Sequence, residues 1–141
     1  ISTNIGEGLN PFIKVVSGGE TSRFMLAVKI VLLDKNSSPS LVFDEVDNGI
    51  SGSTAEKIGG ILESLSNSHQ IICITHLPQI AAKGNDHFRI YKIEENNRTM
   101  TKFMNLDKTS RINEIAGLIS GSDITKSGIS QAKELLRGSN G

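Results

Sequence analysis

The chain has 141 residues, 37% of them hydrophobic and 21% charged, which is sufficient for one domain with an apolar core. Basic and acidic residues number 15 each, so a generally basic surface is excluded as the basis of nucleic-acid binding. The single cysteine, Cys73, excludes an internal disulfide, and no apolar run reaches the ~18 residues that a membrane helix requires. We therefore expect a soluble cytoplasmic protein without a membrane partner.

The first half of the chain alternates between helical and strand patterns. Residues 19–33 are apolar on nearly all sides, which predicts a largely buried helix. Residues 41–44 form a short apolar run ending in an acid, as in a central parallel strand covered on both faces. Ser53 and Glu56 form a capping box that opens a second helix. Residues 70–75 predict another buried strand, and this order implies a parallel crossover.

The second half of the chain has a different order of predicted elements. A short helix is expected over residues 78–83, followed by a β-hairpin with strands at 87–93 and 99–106. Two amphipathic helices are predicted at 110–119 and 125–136. The fold class is therefore α/β, with parallel strands, flanking helices and a late β-hairpin.

The segment Ser17-Gly18-Gly19-Glu20 leads directly into the first predicted helix. Backbone N–H groups at a helix N-terminus bind anions, and glycines allow a phosphate to approach closely. The alternative is an ordinary loop with a serine cap. This segment is a candidate phosphate-binding turn.

An acidic pair, Asp44 and Glu45, ends the first predicted strand. Ligands of parallel sheets bind at the carboxyl ends of strands, where an aspartate can hold Mg²⁺ through water and a glutamate can activate an attacking water. The alternative is a solvated turn. Asp47 follows in a glycine-containing loop that could reach a partner subunit or simply close a turn.

His76 ends the second predicted strand. At the same sheet edge as the acidic pair it could hydrogen-bond a terminal phosphate, although a lone histidine is more often structural. His69 and His87 receive no role.

Together, in this order and spacing, the three clusters resemble the C-terminal lobe of ABC-type ATPase heads, which are P-loop NTPases. Ser17 to Glu20 are similar to the ABC signature, and Leu41 to Asp44 to Walker B, with Glu45 as the catalytic glutamate. Asp47 is similar to the D-loop aspartate, and His76 to the switch histidine.

Within that superfamily, longer stretches around these clusters resemble the RecN family of bacterial DNA repair proteins, which is related to the SMC family. The most discriminating stretch is Thr75-His76-Leu77-Pro78-Gln79. No G-x-x-x-x-G-K-[ST] phosphate loop occurs in the sequence. We therefore expect residues 1–141 to be the C-terminal lobe of a head whose Walker A half and coiled coil lie elsewhere.

The resemblance implies ATP and Mg²⁺ as cofactors and a homodimer of heads that sandwiches two ATP molecules. Ser17 and Gly19, within the cofactor-binding set Ser17, Gly18, Gly19, Glu20 and Asp47, would contact the ATP of the opposite head. Asp44 would hold Mg²⁺, and Glu45 and His76 would be catalytic on the ATP of their own head. The implied partners are the second head, the missing N-terminal half of the head and, through the whole protein, DNA. The implied role is nucleoid-associated double-strand break repair and recombination, and the isolated chain should be a poor ATPase.

Two other hypotheses remain. Ser17, Asp44 and His76 occur in the chain order of an α/β-hydrolase triad, although Ser17 does not lie in a G-x-S-x-G elbow. A non-catalytic dimerisation or DNA-binding module is the second alternative, and the absent phosphate loop favours it.

Overall fold

The computed structural model of the chain describes residues 8, 18–32, 40–95, 98–121 and 123–138. In chain order the elements are the helix α1 (Gly18–Leu32), the strand β1 (Leu41–Phe43), the helix α2 (Gly52–Ser66), the strand β2 (Ile71–Cys73), the short helix α3 (Pro78–Ala81), the hairpin strands β3 (Phe88–Glu95) and β4 (Arg98–Asn105), and the helices α4 (Lys108–Ser120) and α5 (Lys126–Arg137). Each element predicted above is present, and its predicted ends differ from the observed ones by at most two residues.

The strands β1 and β2 pair in parallel, with Leu41 opposite Ile71 and Phe43 opposite Cys73. Backbone bonds extend this pairing at both ends, from the Leu41 amide to the Gln70 carbonyl (2.8 Å) and from the Ile74 amide to the Phe43 carbonyl (2.9 Å). The predicted α/β fold, with a parallel pair joined through a helix, is confirmed. Both strands therefore end at the same edge of the sheet.

The first core lies under this sheet. Its buried side chains come from α1, β1, the loop after β1, α2 and α3, and they are Leu26, Phe43, Val46, Ala55, Ile58, Leu62 and Ile80. An ion pair of 3.0 Å between Lys83 and Glu63 links the end of α3 to α2. The core fixes the loop that follows β1 because Val46, inside that loop, is 1% exposed.

The second core lies between α4 and α5 and contains Ala82, Ile115, Ala116 and Ala132. The hairpin of β3 and β4 contacts α4 through an ion pair of 3.3 Å between Arg89 and Glu114. Its strands are antiparallel, with Ile90 opposite Phe103, as the sequence predicts. No helix in the part of the chain that the structure describes has the length and apolar character to cross a bilayer.

Three expectations about these elements were wrong. The helix α1 is not largely buried: among the residues that the structure describes, only the stripe at Leu26 and Ile30 packs on the first core, and Val31 and Leu32 are 82% and 76% exposed. The strands β1 and β2 are covered on one face rather than buried, since Val42 is 53% exposed beside the buried Phe43 in β1 and Ile72 is 48% exposed in β2.

The third wrong expectation is the capping box. The helix α2 begins at Gly52, so Ser51 is the extended N-cap residue and makes no side-chain capping bond. Ser53 therefore lies inside the first turn, where its backbone is already helical and its side chain cannot take the cap position.

Candidate functional site

The candidate site is the sheet edge at which β1 and β2 both end. Asp44 and Glu45 directly follow β1, and Thr75 and His76 lie two and three residues after the end of β2. The parallel register aligns the two strand ends, so the second and third sequence clusters are brought to one edge. The Asp44 and Glu45 side chains are exposed there and can reach a ligand in solution.

Glu45 has an unusual backbone. Its φ angle is +57°, in the left-handed region, and it is the one residue other than glycine with positive φ within the described ranges. A side chain with a Cβ loses about 1–2 kcal/mol in that conformation. Backbone strain of this kind occurs disproportionately at functional sites, where the surrounding structure enforces it. The strain turns the chain sharply between the exposed carboxylates and the buried Val46 and Asp47.

Asp47 faces inward, and its side chain is 4% exposed. One carboxylate oxygen, Oδ2, accepts a hydrogen bond from Thr75 Oγ1 at 2.5 Å and one from the His76 amide at 2.9 Å. The same oxygen lies 3.0 Å from His76 Nδ1. Asp47 therefore joins the loop after β1 to the end of β2 within its own chain.

The pKa of Asp47 reflects these contacts. Burial alone would raise it, but the hydrogen bonds from the Thr75 hydroxyl and the His76 amide, together with the charge on the His76 ring, outweigh burial and hold the pKa below its ordinary range. Asp47 is consequently an anion throughout the neutral range.

The N-terminus of α1 packs on the loop after β1. A Cβ built on Gly19 would overlap the Asn48 carbonyl oxygen, so only glycine permits this approach. Arg23 Nη1 donates to the same carbonyl at 2.8 Å. The structure thus places the Gly18-Gly19-Glu20 turn beside the Asp47 loop, and it gives Gly19 a packing reason of its own. Ser17 lies outside the described residues.

Cys73 lies beneath this edge, at the end of β2. Burial, and then the negative charges of Asp47 and Asp44, raise the pKa of its thiol to about 11. The thiol is therefore protonated at neutral pH and is a poor nucleophile. The pKa of this thiol therefore depends on the negative charge at the site.

The donor set suits a hydrated metal ion better than a closed metal cage. Within the described ranges no three His, Cys, Asp or Glu side chains are grouped closely enough to hold a metal ion. Mg²⁺ in nucleotide sites keeps several waters and uses one or two carboxylates together with phosphate oxygens. The exposed Asp44 carboxylate at the strand end fits that chemistry, with Glu45 beside it.

The histidine contact bears on the triad hypothesis. A Ser-His-Asp arrangement with Ser17, Asp44 and His76 would need the Asp44 carboxylate on the histidine ring. The carboxylate on Nδ1 is that of Asp47 instead.

Sequence reasoning gave no role to Thr75 or Arg23. Thr75 Oγ1 donates to Asp47 and accepts from the Leu77 amide at 3.0 Å, so it completes the network around His76. A threonine immediately before a candidate histidine at a strand end was the available signal. Nothing in the sequence pairs Arg23 with Asn48, because the contact depends on how α1 docks.

Relatives of the chain are found by sequence. It is 47% identical over 136 residues to the DNA repair protein RecN of Vibrio cholerae serotype O1 and 41% identical over 136 residues to that of Haemophilus influenzae. A third relative, RecN of Rickettsia conorii, is 47% identical over 135 residues. Each alignment covers 96% of the chain. The chain is a sequence relative of the RecN proteins.

This confirms the predicted resemblance to the RecN family. The chain spans about a quarter of the length of these relatives, 24% for the Vibrio cholerae protein. No protein-family model matches it.

Among solved structures, the chain is similar to one from work on ATP-driven dimerization and DNA-stimulated activation of SMC ATPases. The TM-score is 0.55 at 17% sequence identity, over 84% of this chain and 70% of that one. At this identity the likeness establishes the fold. The RecN-related chain therefore has the fold expected from its sequence clusters.

Proposed function

We propose that the chain is the C-terminal lobe of an ATP-hydrolysing head that acts in DNA double-strand break repair and recombination. The observation that carries the proposal is the sheet edge itself, where Asp44, Glu45 and His76 follow two adjacent parallel strands. The RecN names of the sequence relatives support the repair role, and the SMC ATPase fold supports the head.

Each side chain at the edge has a distinct task in this proposal. Asp44 would hold Mg²⁺ through water, and the bound ion would supply positive charge against the phosphate oxygens. Glu45 lies one residue further, turned by its left-handed backbone, and orients the attacking water and accepts its proton. His76 contributes a ring nitrogen at the same edge.

The α1 N-terminus supplies the second half of the proposal. Gly18, Gly19 and Glu20 open a 15-residue helix whose N–H groups can receive a phosphate, with Ser17 just before it. In a dimer of heads this turn, together with the Asp47 loop, faces the ATP of the partner head. The similar solved structure comes from work on ATP-driven dimerization and DNA-stimulated activation of SMC ATPases. That likeness supports a dimer of heads and supports DNA as a partner of the whole protein.

The proposal makes ATP turnover depend on the rest of the head, because the sequence has no phosphate loop. The corresponding quarter of Vibrio cholerae RecN is therefore replaced by this chain, and ATP hydrolysis is measured with Mg²⁺ and DNA. We expect turnover in this chimera. Glu45→Gln should lower kcat at least about 100-fold, the usual contribution of a positioned general base.

A matched control tests the specificity of that loss. Glu56 is an exposed glutamate in α2, and Glu56→Gln makes the same chemical change away from the sheet edge. It should leave kcat unchanged. Equal rates in the Glu45→Gln and unsubstituted chimeras would show that Glu45 is not catalytic. A folded chimera without turnover, beside an active Vibrio cholerae protein, would favour the non-catalytic module.

A further inference from the structure

The contact between Asp47 and His76 determines where the histidine proton lies. Asp47 Oδ2 is 3.0 Å from His76 Nδ1, within hydrogen-bond distance. An ionised carboxylate only accepts hydrogen bonds, so Nδ1 must carry the proton of this bond. In the neutral imidazole the other nitrogen, Nε2, is then an acceptor.

Thr75 fixes the carboxylate that makes this contact. Its hydroxyl has a single proton, which goes to Asp47 at 2.5 Å because the carboxylate has none to give. A lone pair of the same oxygen accepts the Leu77 amide at 3.0 Å. The hydroxyl thus donates one hydrogen bond and accepts another, and the backbone of the segment that leads into α3 sets its orientation.

The histidine depends on this support because little else surrounds it. The His76 side chain is 72% exposed, whereas that of Asp47 is 4% exposed. An exposed ring samples several rotamers and both neutral tautomers unless one edge is held. Here the amide and the ring nitrogen of His76 bind the same buried oxygen.

We propose that Asp47 and Thr75 are positioning residues that hold His76 in the Nδ1–H tautomer and leave Nε2 as a proton acceptor at the sheet edge. In neutral His76, Nε2 can then accept a hydrogen bond from a water at the sheet edge. Asp47 acts through its own chain, whatever a partner head contributes. The catalytic consequence rests on the proposed function, but the tautomer does not.

The tautomer is read by long-range ¹H–¹⁵N NMR on the chain labelled at histidine, at about pH 9, well above the ordinary histidine range of about 6.5. His76→Gln assigns the signals among the three histidines. We expect Nδ1 protonated and Nε2 unprotonated. The opposite pattern at His76 would overturn the proposal in the unsubstituted chain, without any variant.

Variants test the part played by Thr75. Thr75→Val removes the hydroxyl and should give a mixture of tautomers, while Thr75→Ser should restore the single form. Thr101→Val makes the same change at an exposed position of β4 and should leave His76 unaltered. An unchanged His76 pattern in Thr75→Val would remove Thr75 from the proposal.

The ATPase chimera separates this inference from the proposed function. Thr75→Val should lower kcat about tenfold, the lower end of the losses found when the hydrogen-bond partner of a metal-bound histidine is removed, and Thr75→Ser should recover most of it. The expected tautomer in a chimera without turnover would uphold the positioning network and refute the ATPase. Turnover in a chimera whose His76 is in the other tautomer would uphold the ATPase and refute the positioning network.

Discussion

The strained backbone of Glu45 predicts that glycine is more stable than alanine at this position, which is the reverse of the order at an ordinary glutamate in a helix. Its φ of +57° is unfavourable for any residue with a Cβ and acceptable for glycine. We therefore compare Glu45→Gly with Glu45→Ala. Both remove the carboxylate, so the difference between them isolates the backbone.

The magnitude follows from two opposing contributions. Alanine at this position keeps the left-handed penalty of about 1–2 kcal/mol, and glycine removes it. Glycine loses about 0.5–1 kcal/mol more than alanine in conformational entropy on folding. Glu45→Gly should consequently be more stable than Glu45→Ala by about 0.5–1 kcal/mol.

Glu56 provides the control because it is exposed and lies inside α2. There glycine should be less stable than alanine by about 1 kcal/mol, so the two pairs differ in sign. Urea unfolding of the four variants measures this, and 1 kcal/mol shifts the midpoint by about 0.5 M. If glycine is the less stable substitution at Glu45 as well, the strained conformation is refuted, and with it the structural argument for a functional turn.

Three further predictions concern the neighbours of this turn. Gly19→Ala should lower the free energy of unfolding by about 1–3 kcal/mol, because its Cβ would overlap the Asn48 carbonyl oxygen. Cys73, with a thiol pKa of about 11, should react with iodoacetamide at pH 8.5 at least about tenfold more slowly than a thiol of ordinary pKa, because its smaller thiolate fraction outweighs its higher intrinsic nucleophilicity, and Mg²⁺ bound at Asp44 should accelerate the reaction by lowering that pKa. Asp47, whose pKa is lowered in the folded chain, contributes stability that is complete above its unfolded pKa of about 3.9 and is lost as pH falls through the lower folded value. Asp47→Asn should remove that part of the acid dependence of unfolding.

Each of these has a control that separates the cause. Gly60 has open space around it in α2, so Gly60→Ala should stabilise the chain, and equal destabilisation by both alanines would contradict the close approach at Gly19. Asp44→Asn should abolish the response of Cys73 to Mg²⁺, and a response that survives it would place the ion elsewhere. Asp123 is an exposed loop aspartate, and Asp123→Asn should keep the acid dependence that Asp47→Asn loses.

The elements that the sequence predicts well are those whose signals are local. The hairpin is one, since two strand-forming runs flank a polar turn, and its register pairs Phe88 with Asn105. The helix α5 is another, and Thr125 at its predicted start accepts a bond from the Gly128 amide at 3.0 Å. The helix α4 is predicted to start at Ser110, but its capping residue is Asp107. The Ser110 amide donates a hydrogen bond of 2.7 Å to the Asp107 side chain. Such errors concern which of several polar residues takes the cap.

The burial of α1 and of β1 was not predictable in the same way. An apolar pattern indicates that a face can be buried, not which neighbour covers it. Among the described residues α1 meets the first core only along Leu26 and Ile30. Propensity and periodicity contain no information about the number of layers that pack on an element, and that number decides exposure.

The candidate site shows the same division between local and distant information. Two acids follow one predicted strand and a histidine follows the next. Because parallel strands end at the same edge of a sheet, these local patterns predict that the three side chains meet at one sheet edge. The direction in which Asp47 points does not follow from local patterns, because it depends on Thr75 and His76, 28 and 29 residues away, and on the strain at Glu45 that turns the loop inward. The sequence motifs thus predict separate roles for Asp47 and His76, whereas the structure joins the two residues in one hydrogen-bonded unit. Variants of either residue should therefore behave non-additively, as contacting members of one network do.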